Sequence, residues 1–235
     1  MTRQLQRLLC AGAVLHLSGF ASASAANTIW TLSIKPETSL FAVITQKAGV
    51  AARLAHDHLI AAKTFDSNLK VDPLELNKGT FIFKVKVRDL DVDHPELQQK
   101  WFPTIQALSW LKQPFTPLKE SDRNTIRENM LAENQLNAAK CPEISAEVLK
   151  ISDFPSMLGT RQFSKKAQVA VTICGKTNTR DIPANINLRG DELQVEAAGD
   201  FKFSEFGIKP YKALLGALGN DDQFFILVSF KAVKK

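Results

Sequence analysis

The 235-residue sequence has few of the residues that catalytic and nucleic-acid-binding motifs require. It contains four histidines, three cysteines and one tyrosine, and its eleven glycines form no phosphate-cradling motif. No serine, cysteine or threonine lies in a nucleophile elbow, and there is no HExxH-type helix. The basic residues are scattered and do not alternate with aromatic residues in any run, so we expect no nucleic-acid binding. These absences predict a protein that is not an enzyme and that requires no cofactor.

Long apolar runs are also rare, and the one that occurs lies near the amino terminus. Two arginines precede the run from Leu8 to Phe20, which the small-residue stretch ASASA follows. This pattern predicts a secretory signal peptide over residues 1–25, cleaved after Ala25. The run is shorter than the roughly 20 residues that a membrane-spanning helix needs. We therefore expect residues 26–235 to form a soluble periplasmic domain without a transmembrane segment.

Alternation of apolar and polar residues with a period of two dominates the rest of the chain. The clearest example has Phe81, Phe83 and Val85 on one side and Lys84 and Lys86 on the other. Turn signals separate such segments, and no helix–strand rhythm is present. The pattern therefore predicts one all-β domain, an antiparallel sandwich or barrel. The alternating segments are residues 29–34, 40–44, 64–71, 79–90, 182–189 and 194–203.

The carboxy-terminal part combines an apolar strand with an unusually apolar loop. Residues 224–228 read FFILV, so this strand needs cover on both faces, for example the barrel lumen on one side and a packed helix or neighbouring loop on the other. The loop before it holds Phe206, Ile208, Tyr211 and Leu215. An apolar loop at the end of a β-structure is either a packed plug or the rim of an apolar site.

Residues 94–140 interrupt the strands with helical spacing. Pro103 fits the first turn of a first helix, which we expect to end before Pro114. A second helix is predicted from a cap at Ser121 or Asp122 through Met130. We expect the apolar sides of both helices to pack against the open end of the barrel, either as ordinary helix-on-sheet packing or as a lid over a ligand. The apolar residues of the first helix recur at spacings of three and four: Trp101, Ile105, Leu108 and Leu111.

The tripeptide His56-Asp57-His58 is the one candidate for a metal or catalytic site. In an extended segment both imidazoles fall on one face and Asp57 on the other. With His94 they could form a three-histidine zinc site, so a metal-dependent enzyme that uses His56 and His58 is the alternative hypothesis. Nothing in the sequence places His94 beside the pair. We therefore predict no metal, and we favour structural hydrogen bonds from these histidines to nearby backbone or carboxylate groups.

Two cysteines remain once cleavage of the predicted signal peptide has removed Cys10. The segments 141–151 and 163–174 have the pattern of a hairpin with its turn near Phe154 to Gly159. Folding about that turn places Cys141 opposite Cys174, close enough for a disulfide. In an oxidising compartment, the closeness of the two cysteines predicts a disulfide rather than two free thiols in the core.

Several stretches of the sequence resemble the YceI-like family of exported, lipocalin-like, polyisoprenoid-binding proteins. The resemblance covers most of the chain after Ser33, and FGIKPY, at residues 206–211, is its most specific part. It implies an antiparallel barrel of about eight strands with an apolar lumen that holds an isoprenoid chain. The matching stretches are SDRNTIRENM (121–130), LNAAKCPEI (136–144), VTICGKT (171–177) and FKFSEFGIKPY (201–211).

This resemblance and the apolar loop together predict a polyisoprenoid or isoprenoid quinone in the lumen. Lys209 and Tyr211 are candidates for contacts with a headgroup. Because the inward residues mix phenylalanines with Ala184, Ala197 and Gly199, they could instead interdigitate and fill the core. A filled barrel would act only by binding another protein, and the sequence does not specify an oligomeric state. The predicted lumen and mouth residues are Phe81, Phe83, Val85, Trp101, Ile105, Phe201, Phe203, Phe206, Ile208, Lys209, Tyr211, Leu215, Ile226 and Val228.

Overall fold

The computed structural model describes residues 29–235, so the predicted signal peptide lies outside the described residues. The described part contains twelve strands and two α-helices, α1 (Pro95–Ala107) and α2 (Glu120–Leu131). Neither helix is long and apolar enough to span a membrane. The strands are β1 (Trp30–Ile34), β2 (Leu40–Ala48), β3 (His58–Ala62), β4 (Asp66–Val71), β5 (Thr80–Lys86), β6 (Leu90–Val92), β7 (Glu143–Leu158), β8 (Arg161–Ile173), β9 (Lys176–Arg189), β10 (Glu192–Lys202), β11 (Lys212–Ala213) and β12 (Leu218–Lys234).

Eight of these strands close into an antiparallel barrel. They follow the order β1-β4-β5-β7-β8-β9-β10-β12, and β12 pairs again with β1 through partners such as Ser33 and Val233. Closure leaves this ring without a free edge. The predicted all-β barrel of about eight strands is confirmed, and the sandwich that the alternation also allowed is not formed.

The first three long strands of the barrel are each broken into two halves. The turn at Pro36–Thr38 separates β1 from β2, residues 63–65 separate β3 from β4, and the turn at Val87–Asp89 separates β5 from β6. One end of β12 therefore pairs with β1, while residues 219–229 of β12 pair with β2. β2 then pairs with β3, and β3 with β6. Within residues 29–235 no ladder joins β6 to β7, so the barrel wall has a gap at this end.

The helix α2 lies across this gap. Arg123 Nε donates a hydrogen bond of 2.8 Å to the carbonyl oxygen of Val92, and Arg127 Nε donates one of 2.9 Å to that of Leu90. The guanidinium groups thus donate hydrogen bonds to carbonyl oxygens on the unpaired edge of β6. The predicted cap is wrong, because α2 begins at Glu120 and its N-cap residue is Lys119, without a side-chain cap bond.

The helix α1 packs on the outer face of the barrel wall, which corrects the prediction that it lies at the open end. Ile105 and Leu108 are fully buried against Ile44 and Leu227, whose side chains point away from the lumen. That outer face is apolar and needs cover, and α1 supplies it. The helix begins at Pro95 and ends at Ala107, so Pro103 lies within it rather than in its first turn.

One half of the lumen is filled by side chains. The rings of Phe41, Phe83 and Phe230 have centroids 5.2 to 5.8 Å apart, within the range of favourable aromatic pairs. Buried side chains of the surrounding strands pack in the same cluster, among them Leu69, Phe81 and Leu193. The hypothesis of a filled core therefore holds for this half of the barrel.

A disulfide joins Cys141 and Cys174, with Cα atoms 4.8 Å apart, as the sequence predicts. The two residues are not a cross-strand pair, however. Cys141 precedes β7, and Cys174 lies in the turn between β8 and β9, with a φ of 49°. The hairpin itself is longer than expected, because β7 extends to Leu158 and the turn falls at residues 159–160.

Replacing Ile105 with alanine should lower the free energy of unfolding by about 3 kcal/mol, because the substitution removes three carbons from a fully buried side chain. Urea unfolding measures this difference. The matched control is Gln106→Ala on the exposed side of the same helix, which should change stability by less than about 0.5 kcal/mol. Equal effects of the two variants would contradict the packing of α1 on the wall.

Loss of the disulfide should lower the free energy of unfolding by about 3 kcal/mol, because the bond restricts the unfolded chain across a separation of 33 residues. The measurement compares denaturant unfolding of the wild-type protein with that of the Cys141→Ser, Cys174→Ser double variant. As a direct check, denatured but unreduced protein that begins after Ala25 should contain no titratable thiol. Two free thiols per chain would show that the bond does not form.

Candidate functional site

A cavity of about 210 Å³ occupies the end of the barrel that α2 covers. Most of the residues around it are apolar, and none is Asp, Glu, Lys or Arg. Such a lining suits an uncharged, largely hydrocarbon ligand. The volume is below the roughly 300–1,000 Å³ of sites that enclose a drug-sized ligand. The lining residues are Val43, Thr45, His58, Ile60, Leu90, Ile126, Asn129, Met130, Gln135, Leu136, Ile144, Ile173, Phe203, Ile208, Tyr211, Asn220 and Phe224.

Strands β2 and β3 supply one wall of the cavity. Val43 pairs with Ile60 and Thr45 with His58 across the ladder, and all four side chains face the cavity. The residues between them, such as Ile44 and Leu59, point outward into the contact with α1. The two-residue period of a strand therefore gives this wall one face for the cavity and one for the helix.

The helix α2 supplies the opposite wall. Ile126, Asn129 and Met130 follow one another at helical spacing and line the cavity. Met130 also packs against the buried residues Val87 and Leu90. The arginine bonds to β6 therefore hold a cavity wall in position.

The connection between β10 and β12 forms the rim. The ring centroids of Phe203 and Phe224 are 4.7 Å apart, and both residues line the cavity. The turn that begins at Phe203 is fixed by Ser204, whose backbone N–H and hydroxyl donate to the Asp222 carboxylate at 2.9 and 2.6 Å. The hydrogen bond from the Ser204 hydroxyl is the main reason why the pKa of Asp222 lies below its usual value.

A buried polar cluster adjoins the wall made by β2 and β3. Asp93 is 2% exposed, and its Oδ2 lies 2.6 Å from Nδ1 of His58. Its Oδ1 accepts hydrogen bonds of 2.8 Å from the Leu59 N–H and from Nε2 of Gln98. Three donors around one carboxylate fix both the acid and the imidazole that it contacts. His58 thus has the carboxylate partner that the sequence analysis favours for a structural histidine.

Beside this cluster, Thr45 carries a buried hydroxyl. The residue is 1% exposed, and its Oγ1 has no hydrogen-bond partner among the described residues. Most buried hydroxyl groups in proteins are hydrogen-bonded, because leaving one unpaired costs free energy. Thr45 and His58 therefore form a polar position in an otherwise apolar wall.

Three of the predicted ligand residues line the cavity, namely Phe203, Ile208 and Tyr211. The structure places Trp101 and Ile105 on the outer face of the barrel and leaves Leu215 fully exposed, so these three do not form its mouth. Lys209 is exposed at the surface. The others pack in the clusters that fill the barrel beside the cavity: Phe81, Phe83, Val85, Phe201, Phe206, Ile226 and Val228.

From the sequence, the wall made by β2 and β3 was missed, and α2 was expected at the open end of the barrel without any of its residues being named as ligand contacts. The alternation of Val43 and Thr45 was a usable signal for the first, and the spacing of Ile126 and Met130 for the second. Neither pattern shows which face meets the cavity, since outward residues such as Ile44 are equally apolar. That assignment requires the position of α1.

The histidines and the neighbouring acidic residues are not arranged around one point where they could share a metal ion. The rings of His56 and His58 have centroids 6.5 Å apart, and Asp57 accepts a hydrogen bond of 2.9 Å from the Lys47 N–H. In residues 29–235 no group of three or more His, Cys, Asp or Glu side chains is arranged to hold a metal ion. The structure therefore gives no support to the alternative zinc site at His56, His58 and His94.

A second hollow, of about 330 Å³, lies outside the barrel between α1 and the segment after it. Proline rings and the side chains of Phe102 and Phe115 form most of its surface. Gln98 borders it, but the amide of this residue is bonded to Asp93. Fewer polar side chains line this hollow than line the cavity in the barrel.

The closed eight-stranded antiparallel barrel, with an apolar cavity at one end, defines this chain as a lipocalin-like barrel. A family model of the YceI-like domain matches residues 44–232. The chain therefore belongs to the YceI-like family. A search of curated proteins returned no match to the sequence.

The solved structures that share this fold at low sequence identity include the following two. BcnA of Burkholderia cenocepacia is 13% identical, with a TM-score of 0.55 over 86% of this chain and 100% of that one. A polyisoprenoid-binding domain of Saccharophagus degradans, implicated in plant cell wall breakdown, is 8% identical, with a TM-score of 0.52 over 88% of this chain and 98% of that one.

Replacing Thr45 with valine should raise the free energy of unfolding of the ligand-free protein by about 1 kcal/mol, because it removes an unpaired buried hydroxyl at nearly constant shape. Denaturant unfolding measures the change. The control is Thr31→Val on β1, where the side chain is exposed and the effect should be close to zero. A clear loss of stability in Thr45→Val would mean that the hydroxyl has a partner in solution.

Proposed function

We propose that this protein is exported to the periplasm and binds a long isoprenoid chain, a polyisoprenoid or an isoprenoid quinone, in the cavity between α2 and the barrel wall. The observation that carries the proposal is an apolar cavity without charged lining inside a YceI-like barrel. An apolar chain needs few directed contacts, because each buried methylene-sized group contributes about 0.8 kcal/mol. The binding energy would come mainly from carbon surfaces such as Ile60, Ile173 and Phe224.

The likeness to the Saccharophagus degradans domain supports this choice of ligand class. That domain is described as polyisoprenoid-binding and has the same fold over most of this chain. At 8% identity the likeness shows the fold alone, so the ligand of this chain is inferred from its own cavity as well. The absence of charged lining favours a chain over a polar metabolite.

The disulfide supports export as part of the proposal. Disulfides form and persist in oxidising compartments such as the periplasm. The bond between Cys141 and Cys174 fits a chain that leaves the cytoplasm behind a cleaved signal peptide.

The test is organic extraction of purified protein followed by mass spectrometry. The wild-type protein should yield a stoichiometric isoprenoid lipid, and a folded Phe203→Asp variant should yield at least about tenfold less, because a carboxylate beside Phe224 would lie against the chain. The matched control is Phe154→Asp on the β7–β8 hairpin, where the side chain is half exposed and does not line the cavity. Lys209→Ala should also leave the yield nearly unchanged.

A second variant covers the case in which Phe203→Asp does not fold. Ile126→Trp on α2 adds bulk at a half-buried position that borders the cavity, and circular dichroism reports whether the barrel is intact. It should also lose lipid. If Ile126→Trp, Phe154→Asp and the wild type all give the same lipid in the same amount, the cavity is not the site.

A further inference from the structure

The polar position in the cavity wall has hydrogen-bonding capacity that the protein does not use. Thr45 Oγ1 is buried without a partner among the described residues, and Thr45 lies directly opposite His58 on the neighbouring strand. Both residues border the cavity. A hydroxyl group can donate one hydrogen bond and accept two. A ligand atom between these side chains would therefore find a donor and an acceptor together.

The environment of His58 fixes which ring nitrogen the ligand meets. The Asp93 carboxylate faces Nδ1 at 2.6 Å and can only accept, so Nδ1 carries a proton. This leaves Nε2 as the nitrogen for a cavity ligand, and in the neutral ring Nε2 is an acceptor. The ring is also held in place, because the Asp93 carboxylate is itself held by Leu59 and Gln98. The acceptor is therefore positioned before the ligand arrives.

We propose that the cavity recognises a chain that ends in a hydroxyl group, so that the ligand is a long-chain isoprenoid alcohol. This inference rests on the proposed function and narrows its ligand class. A hydroxyl donates to Nε2 of His58 and accepts from Oγ1 of Thr45. A quinone carbonyl accepts from Thr45 but gives no proton to Nε2. A carboxylate or diphosphate headgroup would lack a Lys or Arg partner in this lining.

The apolar residues next to this position suit the carbon atoms that follow the hydroxyl. Val43 and Ile60 are the next inward pair along β2 and β3, two residues from Thr45 and His58. The carbons nearest the hydroxyl would contact these branched side chains. Headgroup recognition and burial of the chain are thus adjacent on the same two strands.

The test compares ligands that share one chain and differ only in the headgroup. Radiolabelled geranylgeraniol, its methyl ether and geranylgeranoic acid are bound to immobilised, delipidated protein. The alcohol should bind about tenfold more tightly than the ether, because the ether cannot donate to Nε2. The acid should also bind at least about tenfold more weakly than the alcohol.

Two conservative variants assign the effect to these residues. Thr45→Val removes only the hydroxyl, and His58→Asn removes Nε2 while its amide nitrogen, at the same number of bonds from Cβ as Nδ1, can still donate to Asp93. Each should weaken alcohol binding about tenfold and change ether binding by less than about threefold. Thr31→Val is the control and should leave the affinities for the alcohol and the ether unchanged.

The outcomes separate this inference from the proposed function. Equal binding of alcohol and ether, unchanged in both variants, would overturn the hydroxyl assignment and leave chain binding intact. If the acid binds most tightly of the three ligands, the hydroxyl assignment is overturned as well. If none of the three ligands binds the wild-type protein, the proposed function fails and this inference fails with it. Thr45→Val keeps the test decisive if His58→Asn does not fold, since removal of an unpaired hydroxyl should not destabilise the barrel.

Discussion

The unpaired edge of β6 is the constraint on which the cavity end of the barrel depends. Backbone carbonyls on a strand edge need donors, and in a fully closed barrel the neighbouring strand provides them. Here Arg123 and Arg127 provide donors from a helix instead. Because a helix packs at a larger distance than a strand, side chains of α2 such as Ile126 and Met130 face a space that a paired β6 and β7 would have closed. The cavity is thus a consequence of incomplete strand pairing.

Asp93 connects three elements at the same corner. It follows β6 directly, accepts from the Leu59 N–H on β3 and binds Gln98 in the first turn of α1. Its φ of 52° lies in the left-handed region, which aspartate tolerates better than most residues. A negative charge beside the start of α1 also interacts favourably with the helix dipole. The chain therefore turns from the barrel onto its outer wall at the residue that orients His58.

Local patterning in the sequence predicted an antiparallel sandwich or barrel, the family resemblance implied the barrel, and neither was sufficient for the site. Alternation identified β1, β2, β4, β5, β9 and β10. The apolar faces of FFILV at residues 224–228 required cover on both sides, and α1 supplies it on the outer side. The position of that helix could not be predicted, because the apolar side chains of Ile105 and Trp101 could equally well have packed against the wall or covered the mouth. Leu215 was misplaced for a related reason, since its apolar side chain sits on a loop with a φ of 57° that points it into solvent. The family resemblance implied a ligand class but not the cavity wall, which depends on where β6 stops pairing.

The two halves of the lumen have different physical roles. The half around Phe41, Phe83 and Phe230 is close-packed and gains the dispersion and burial energy that stabilises a small barrel. The half under α2 forgoes part of that energy and keeps an unpaired hydroxyl at Thr45. Proteins tolerate such local losses when the surrounding structure is stable enough to maintain them. Filling one half with aromatic rings therefore makes a cavity in the other half compatible with a folded chain, and it limits how deeply a ligand can enter the barrel.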